Sequence, residues 1–92
     1  MREQDVQRKI IKYLEDLPDS WVVKTISTNK RGTPDILACV SGRFVAIEVK
    51  AEGKLATVSK LQQYQIDRIN SSGGLAIAVD NLDDVKKFLL TL

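Results

Sequence analysis

Apolar residues recur at helical spacing from the start of the chain. Val6, Ile10, Tyr13, Leu14 and Leu17 share one stripe, which predicts an amphipathic helix over residues 3–17, ended by Pro18-Asp19. The period then shortens. Residues 21–28 (WVVKTIST) are rich in Val, Ile, Thr and Trp and read as a strand. Lys30 to Pro34 reads as a turn, and Pro34 pushes Thr33 towards an extended conformation. Residues 35–40 and 43–50 read as two strands joined by a short hairpin at Ser41-Gly42. A polar loop follows over 51–56. A second helix over 58–72 is stopped by Gly73-Gly74. Residues 75–79 (LAIAV) are a wholly apolar strand. Asp80 or Asn81 caps a last helix with Leu82, Val85, Phe88, Leu89 and Leu92 on one face. The predicted order is αβββαβα. The hairpin makes strands two and three antiparallel. The second helix carries the chain back, so strand four is expected to run parallel to a neighbour. The fold class is α/β: a mixed four-stranded sheet flanked by helices on both faces, one domain over residues 1–92.

The same patterns expose polar residues where apolar ones are expected. Glu3 lies within about 20° of Ile10 around the first helix, and Gln7 within about 20° of Leu14. Both continue the apolar stripe. A carboxylate in a helix's first turn is also favoured by the dipole alone. In the third strand, alternation puts Val45, Ile47 and Val49 on one face and Phe44, Ala46, Glu48 and Lys50 on the other. Both faces begin apolar, as in a central strand, so Glu48 and Lys50 stand together at the end of a buried element. Unpaired there, each would cost several kcal/mol on the order of a buried ion's penalty. A Glu–Lys pair at a strand end would satisfy them, and so would a polar cleft. Asp35 follows Pro34, where a plain turn residue is also common. In the second helix, Gln62 and Gln65 fall inside the arc of Val58, Leu61, Ile66 and Ile69, although Ser59-x-x-Gln62 also fits a capping box.

Composition narrows the chemistry. The chain has no His and one Cys, Cys39. That excludes His-based nucleophilic catalysis, an intramolecular disulfide and a His- or Cys-held zinc, and it fits a reducing, intracellular location. No apolar run reaches membrane-span length, and no membrane partner is expected. Any resident metal must be held by oxygen. Net charge is only +2, but it is unevenly placed. Residues 24–60 carry Lys24, Lys30, Arg31, Arg43, Lys50, Lys54 and Lys60 against Asp35, Glu48 and Glu52, a balance of +4. A basic middle holding a few carboxylates suits a polyanion that meets a metal ion; a solvated face is the plainer account. Carboxylates gathered near one another repel unless a divalent cation lies between them. Such a cation with a lysine beside it suits phosphodiester hydrolysis. There is no phosphate-binding GxxxxGK[ST] loop, which argues against nucleotide hydrolysis.

Pro34-Asp35 followed, after twelve residues, by Glu48-Val49-Lys50 resembles the PD-(D/E)XK nuclease signature. The wider set resembles the VRR-NUC (virus-type replication-repair nuclease) domain over essentially the whole chain. It comprises Glu3 and Gln7 in the first helix, Gly32-Thr33-Pro34-Asp35-Ile36-Leu37, Gly42 to Lys50, Leu61-Gln62 and Gly73-Gly74. The resemblance implies a restriction-endonuclease-like fold and a Mg²⁺- or Mn²⁺-dependent DNA nuclease. It also implies that Asp35, Glu48 and the Val49 carbonyl bind metal and that Lys50 is the catalytic lysine. Glu3 would complete the acidic site, and Gln62 would position substrate or the lysine. Single-domain viral members of the family look like Holliday-junction resolvases and act as homodimers. The implied activity is therefore structure-selective cleavage of branched DNA, in the cytoplasm, including that of a virus-infected host cell. A nuclease of flaps or other DNA ends, a non-catalytic DNA-binding module, and an interaction protein whose charges are mere ion pairs are the alternatives. Gln7, Lys30, Arg31, Lys54 and Lys60 are the expected substrate contacts, with Lys24 and Arg43 along the same path. Leu55 to Val58, Trp21, Leu90 and Leu92 are candidates for a dimer patch, although core packing also accounts for most of them.

Overall fold

The computed structural model describes all 92 residues. Helix α1 (Glu3–Glu15) leads into strand β1 (Ser20–Lys24) and the hairpin of β2 (Ile36–Val40) and β3 (Arg43–Val49). Helix α2 (Lys60–Ser71) then precedes β4 (Leu75–Val79) and α3 (Leu82–Leu89). The strands lie in the order β1-β2-β3-β4; β3 runs antiparallel to β2 and parallel to β4. This is the mixed sheet anticipated from the hairpin and the helical crossover, and the chain has a restriction-endonuclease-like arrangement.

Both faces of β3 are covered because both carry apolar side chains. Val45, Ile47 and Val49 are fully buried against Val6, Ile10 and Leu14 of α1 and Val85 of α3. Ala46 packs on the opposite face with Ile66 of α2 and Ala76 of β4. The layers are unequal. Helix α2 lies over β3 and β4, leaving that face of β1 and β2 largely uncovered. There Trp21, Cys39 and Phe44 stand opposite one another across three strands, all exposed.

Several boundaries differ from the periodicity reading. The first strand stops at Lys24 instead of running to 28. Strand β2 begins only at Ile36, so beyond the Lys24–Ile36 pair just one bond continues, from the Thr25 amide to the Asp35 carbonyl. Ile26, strand-forming by propensity, has no partner and is 93% exposed. The first helix ends at Glu15, and the loop after β3 contains a single 3₁₀ turn, Leu55–Thr57. Of the two expected caps for α3, Asn81 is the one used, its side chain accepting from the Asp84 amide.

The outer edge of β4 is closed by Asn70 of α2. Its amide oxygen accepts from the Ala76 amide at 2.8 Å, and its nitrogen donates to the Ala76 carbonyl at 3.1 Å. Asn70→Ala is expected to destabilise the fold by about 1–3 kcal/mol, because two part-buried backbone groups lose their partners. Urea unfolding measures this; an unchanged midpoint would show the clip to be dispensable. No helix is long and apolar enough to cross a membrane.

Candidate active site

The hairpin register brings the two acids of the motif together. Ile36 faces Ile47 across β2 and β3, so one step further Asp35 faces Glu48 on the same side of the sheet. The Asp35 carbonyl points away, towards β1, where it accepts from Thr25. The Asp35–Glu48 pair is thus of the non-hydrogen-bonded kind, in which facing side chains stand closest. The next step sets Pro34 opposite Val49. Proline has no amide hydrogen, so the ladder offers the Val49 carbonyl no donor. The Val49 amide, in turn, donates to Asp35 Oδ2 at 2.8 Å. The proline therefore serves two ends: it stops the sheet, and it leaves a backbone oxygen free beside two carboxylates.

The peptide carrying Asp35 is held in place. The Thr25 hydroxyl donates to the carbonyls of Pro34 and Asp35. Thr28 and Thr33 both donate to the Lys30 carbonyl, closing the preceding loop. Gln65 Nε2 donates to the Arg31 carbonyl at 3.1 Å, stitching that loop to α2. At Gly32 (φ +83°) a Cβ would sit 2.8 Å from the Leu61 backbone oxygen, so only glycine permits this approach. Thr25 was absent from the residues singled out by sequence. Its threonine reads as a strand former, and its contact with Asp35 spans ten positions.

Glu48 is 2% exposed. Its Oε2 receives Gln62 Nε2 at 3.2 Å and lies 3.6 Å from Lys50 Nζ; its Oε1 is buried with no partner at all. Burial pushes its pKa up to about 8. The neighbouring Asp35 carboxylate pushes the same way, as does the Glu3 charge, and Lys50 opposes them. Gln62 does two things at once. Its Oε1 accepts from the Ser59 amide to complete the capping box, which fixes the side chain, while Nε2 is aimed at Glu48. The capping box is thus present, and the partner of the free end is Glu48 and not the lysine.

The remaining residues lie further out. Glu3 is exposed in the first turn of α1, on the opposite layer from α2. Its charge reaches Glu48, but no group of three acidic side chains forms. A bond from the Glu52 amide to the Met1 carbonyl keeps this end of α1 beside the loop that follows Lys50. Gln7 is buried one turn further along α1. Lys24, Lys30, Arg31, Arg43, Lys54 and Lys60 are exposed, and none enters an ion pair; apart from Lys50–Glu48, side-chain pairs are confined to α1 and its end. Of the apolar candidates for a dimer patch, Trp21, Leu55 and Leu90 are exposed, whereas Val58 and Leu92 are half-buried.

The Asp35 and Glu48 carboxylates and the Val49 carbonyl, to which Pro34 offers no donor, would make an all-oxygen donor set. The partnerless Glu48 Oε1 is a buried acceptor that a cation would satisfy. The arrangement fits a hard divalent ion that keeps several waters.

The sequence matches no protein-family model and no curated protein. The structure is similar to solved ones. One, described as "VRR_NUC domain protein", superposes with a TM-score of 0.80 at 17% identity, over 98% of this chain and 86% of that one. Another, described as "VRR_NUC domain", gives a TM-score of 0.78 at 24% identity, over 96% of this chain and 94% of that one. Over nearly its whole length, the chain has the fold of VRR_NUC domain proteins.

Proposed function

We propose that residues 1–92 form a metal-dependent DNA endonuclease that hydrolyses phosphodiester bonds in branched DNA, such as four-way junctions, as a homodimer. The observation that carries this reading is the buried Glu48 carboxylate, half unpartnered and facing Asp35 where Pro34 frees the Val49 carbonyl. The VRR_NUC fold of the similar structures supports it.

Asp35, Glu48 and the Val49 carbonyl would hold Mg²⁺ or Mn²⁺, with Glu3 at the outer margin. When bound, the ion lowers the pKa of a water and offsets phosphate charge. This chain's own side chains do the rest. Gln62 holds Glu48 Oε2, which leaves Oε1 without a partner and available to the ion. Lys50 is half-buried on the same face as Glu48 and keeps its ammonium beside the carboxylate. From there it orients a water for attack on phosphorus and offsets the charge that gathers on the phosphate oxygens. The water oxygen bonds to phosphorus and releases a proton to solvent, one ester P–O bond breaks, and the departing sugar oxygen takes a proton from a solvent water. Symmetric cleavage of two strands needs two such sites, hence a two-fold dimer.

The test is a cleavage panel of linear, flap, fork and four-way DNA with Mg²⁺ or Mn²⁺, alongside a mass measurement. Metal-dependent cuts preferring branched substrates, made by a dimer, are the expected result. Binding without cleavage under every divalent ion would leave a DNA-binding module instead. Because the six basic side chains named above lack acidic partners, affinity should fall steeply between about 50 and 200 mM salt. Each of Lys30→Ala and Lys54→Ala should reduce the slope of log affinity against log salt by about one. A flat response would remove this face from the DNA path.

A further inference from the structure

The largest cavity, about 630 Å³, is a groove between α2 and the loop that delivers Pro34-Asp35. Its walls are basic and aromatic. Lys30 and Arg68 contribute charge, while Phe44 and Tyr64 contribute rings that are 47% and 54% exposed. It is the one cavity of four with no carboxylate in its lining. Neither Lys30 nor Arg68 enters an ion pair, so both charges face outward uncompensated.

Phe44 is held in place by its packing. Phe44 lies against Gly74, where a Cβ would meet its Cδ2 at 3.0 Å and Ile69 Cγ2 at 2.8 Å. Phe44 shares the β3 face of Glu48 and lies four residues away, about 13 Å at strand spacing. Along α2, Arg68 is six residues beyond Gln62, about 9 Å of helix rise. Pro34 lines the groove and is joined to Asp35. The groove thus opens within a few nucleotides' reach of the carboxylate pair, on the face that Glu48 and Gln62 share.

Exposed rings flanked by unpaired cations are what an unpaired nucleic-acid strand requires: bases stack on the rings and phosphates meet the charges. A duplex hides its base faces and gains nothing from such rings. Building on the nuclease reading above, we infer that this groove holds the bases of a single-stranded DNA segment continuous with the strand that reaches Asp35 and Glu48. Phe44 and Tyr64 are its stacking faces, and Lys30 and Arg68 its phosphate contacts. Within branched DNA this favours flaps, forks and frayed ends, whose arms expose unpaired bases near the cut, over a fully paired four-way junction.

The test measures fluorescence anisotropy in EDTA with three labelled probes: oligo-dT of roughly 12 nucleotides, a duplex with a single-stranded tail, and a blunt duplex. Tyr64→Ala and Phe44→Ala are each expected to weaken the first two by about tenfold and to leave the blunt duplex within about twofold. Tyr64→Phe keeps the ring and should match the unmodified protein. Arg68→Ala should lower the salt slope for dT by about one. Tyr64 is more than half exposed, so its truncation leaves the core intact, and circular dichroism verifies this for Phe44→Ala. Failure of the unmodified protein to bind dT, or equal losses on tailed and blunt DNA, overturns the inference. So does a dimer that dissociates when Phe44 is truncated, since the rings would then be covered by a second copy. The two readings fail separately. Ring-dependent dT binding without cleavage under any divalent ion sinks the nuclease alone, whereas cleavage indifferent to both ring truncations sinks the groove alone.

Discussion

Glu48→Gln is expected to reduce phosphodiester cleavage by on the order of a thousandfold and, in divalent-free buffer at pH 8, to make the protein more stable. The first effect follows, on the nuclease reading, from removing one of the two carboxylates that would hold the ion. The second follows from the same burial. Folding raises the Glu48 pKa from 4.5 to about 8, so the folded state holds this proton more tightly than the unfolded chain. The stabilising contribution is complete below the unfolded value and is lost as pH rises through the folded one. Divalent-free protein should therefore lose stability between about pH 5 and pH 8, through the cost of ionising a buried acid beside Asp35. Glutamine has no proton to lose, and its carbonyl oxygen accepts from Gln62 as the carboxylate does. The gain at pH 8 is roughly 1–3 kcal/mol, discounted from the full pKa difference because the group relaxes and is coupled to Asp35. Thermal melts at pH 5 and pH 8 read it directly. Adding Mn²⁺ at pH 8 should then raise the melting temperature of the unmodified protein and not that of the variant. A variant that is less stable than the parent at pH 8, or that still cleaves, would show Glu48 to be a structural ion-pair member.

Gly32→Ala carries the second largest expectation, a loss of about 2–4 kcal/mol with a fall in cleavage. Two costs add. The residue sits at φ +83°, where any side chain is strained, and its Cβ would lie 2.8 Å from the Leu61 backbone oxygen. A backbone atom cannot rotate aside, so the loop must lift from α2. Lifting it stretches the Gln65–Arg31 bond and moves Pro34-Asp35, two and three residues on. Gly42→Ala is the control. Its φ is +79°, but nothing lies within 4 Å of the added carbon, so only the backbone strain of about 1–2 kcal/mol applies. Equal losses from the two substitutions in urea unfolding would show that the close approach contributes nothing.

These side chains differ in how far periodicity could find them. Glu48 and Lys50 stood out because a strand with two apolar faces ended in two charges, and the buried Glu48 and half-buried Lys50 bear this out. Ser59-x-x-Gln62 announced a cap, and the cap is present. Nothing local showed that the other end of the Gln62 amide reaches Glu48, since that contact depends on how α2 crosses the sheet. Tyr64 and Arg68 were passed over for the same reason. On a helical wheel they are ordinary exposed residues, and only the groove beside Lys30 gives them company. Ile26 erred in the opposite direction: strand propensity favoured it, but no neighbouring strand was there to pair with.

Element identity, the in–out alternation of β3 and the hairpin were written in the order of residues, because each arises from repeats of two or about 3.6 positions and from glycine or proline at turns. Which acids meet was not. Asp35 opposes Glu48 through the pairing register of two strands, Glu3 approaches from another layer without joining them, and the groove exists only where a loop and a helix distant in the chain close on each other. Those facts come from long-range packing, and no repeat within one segment encodes the distance between two.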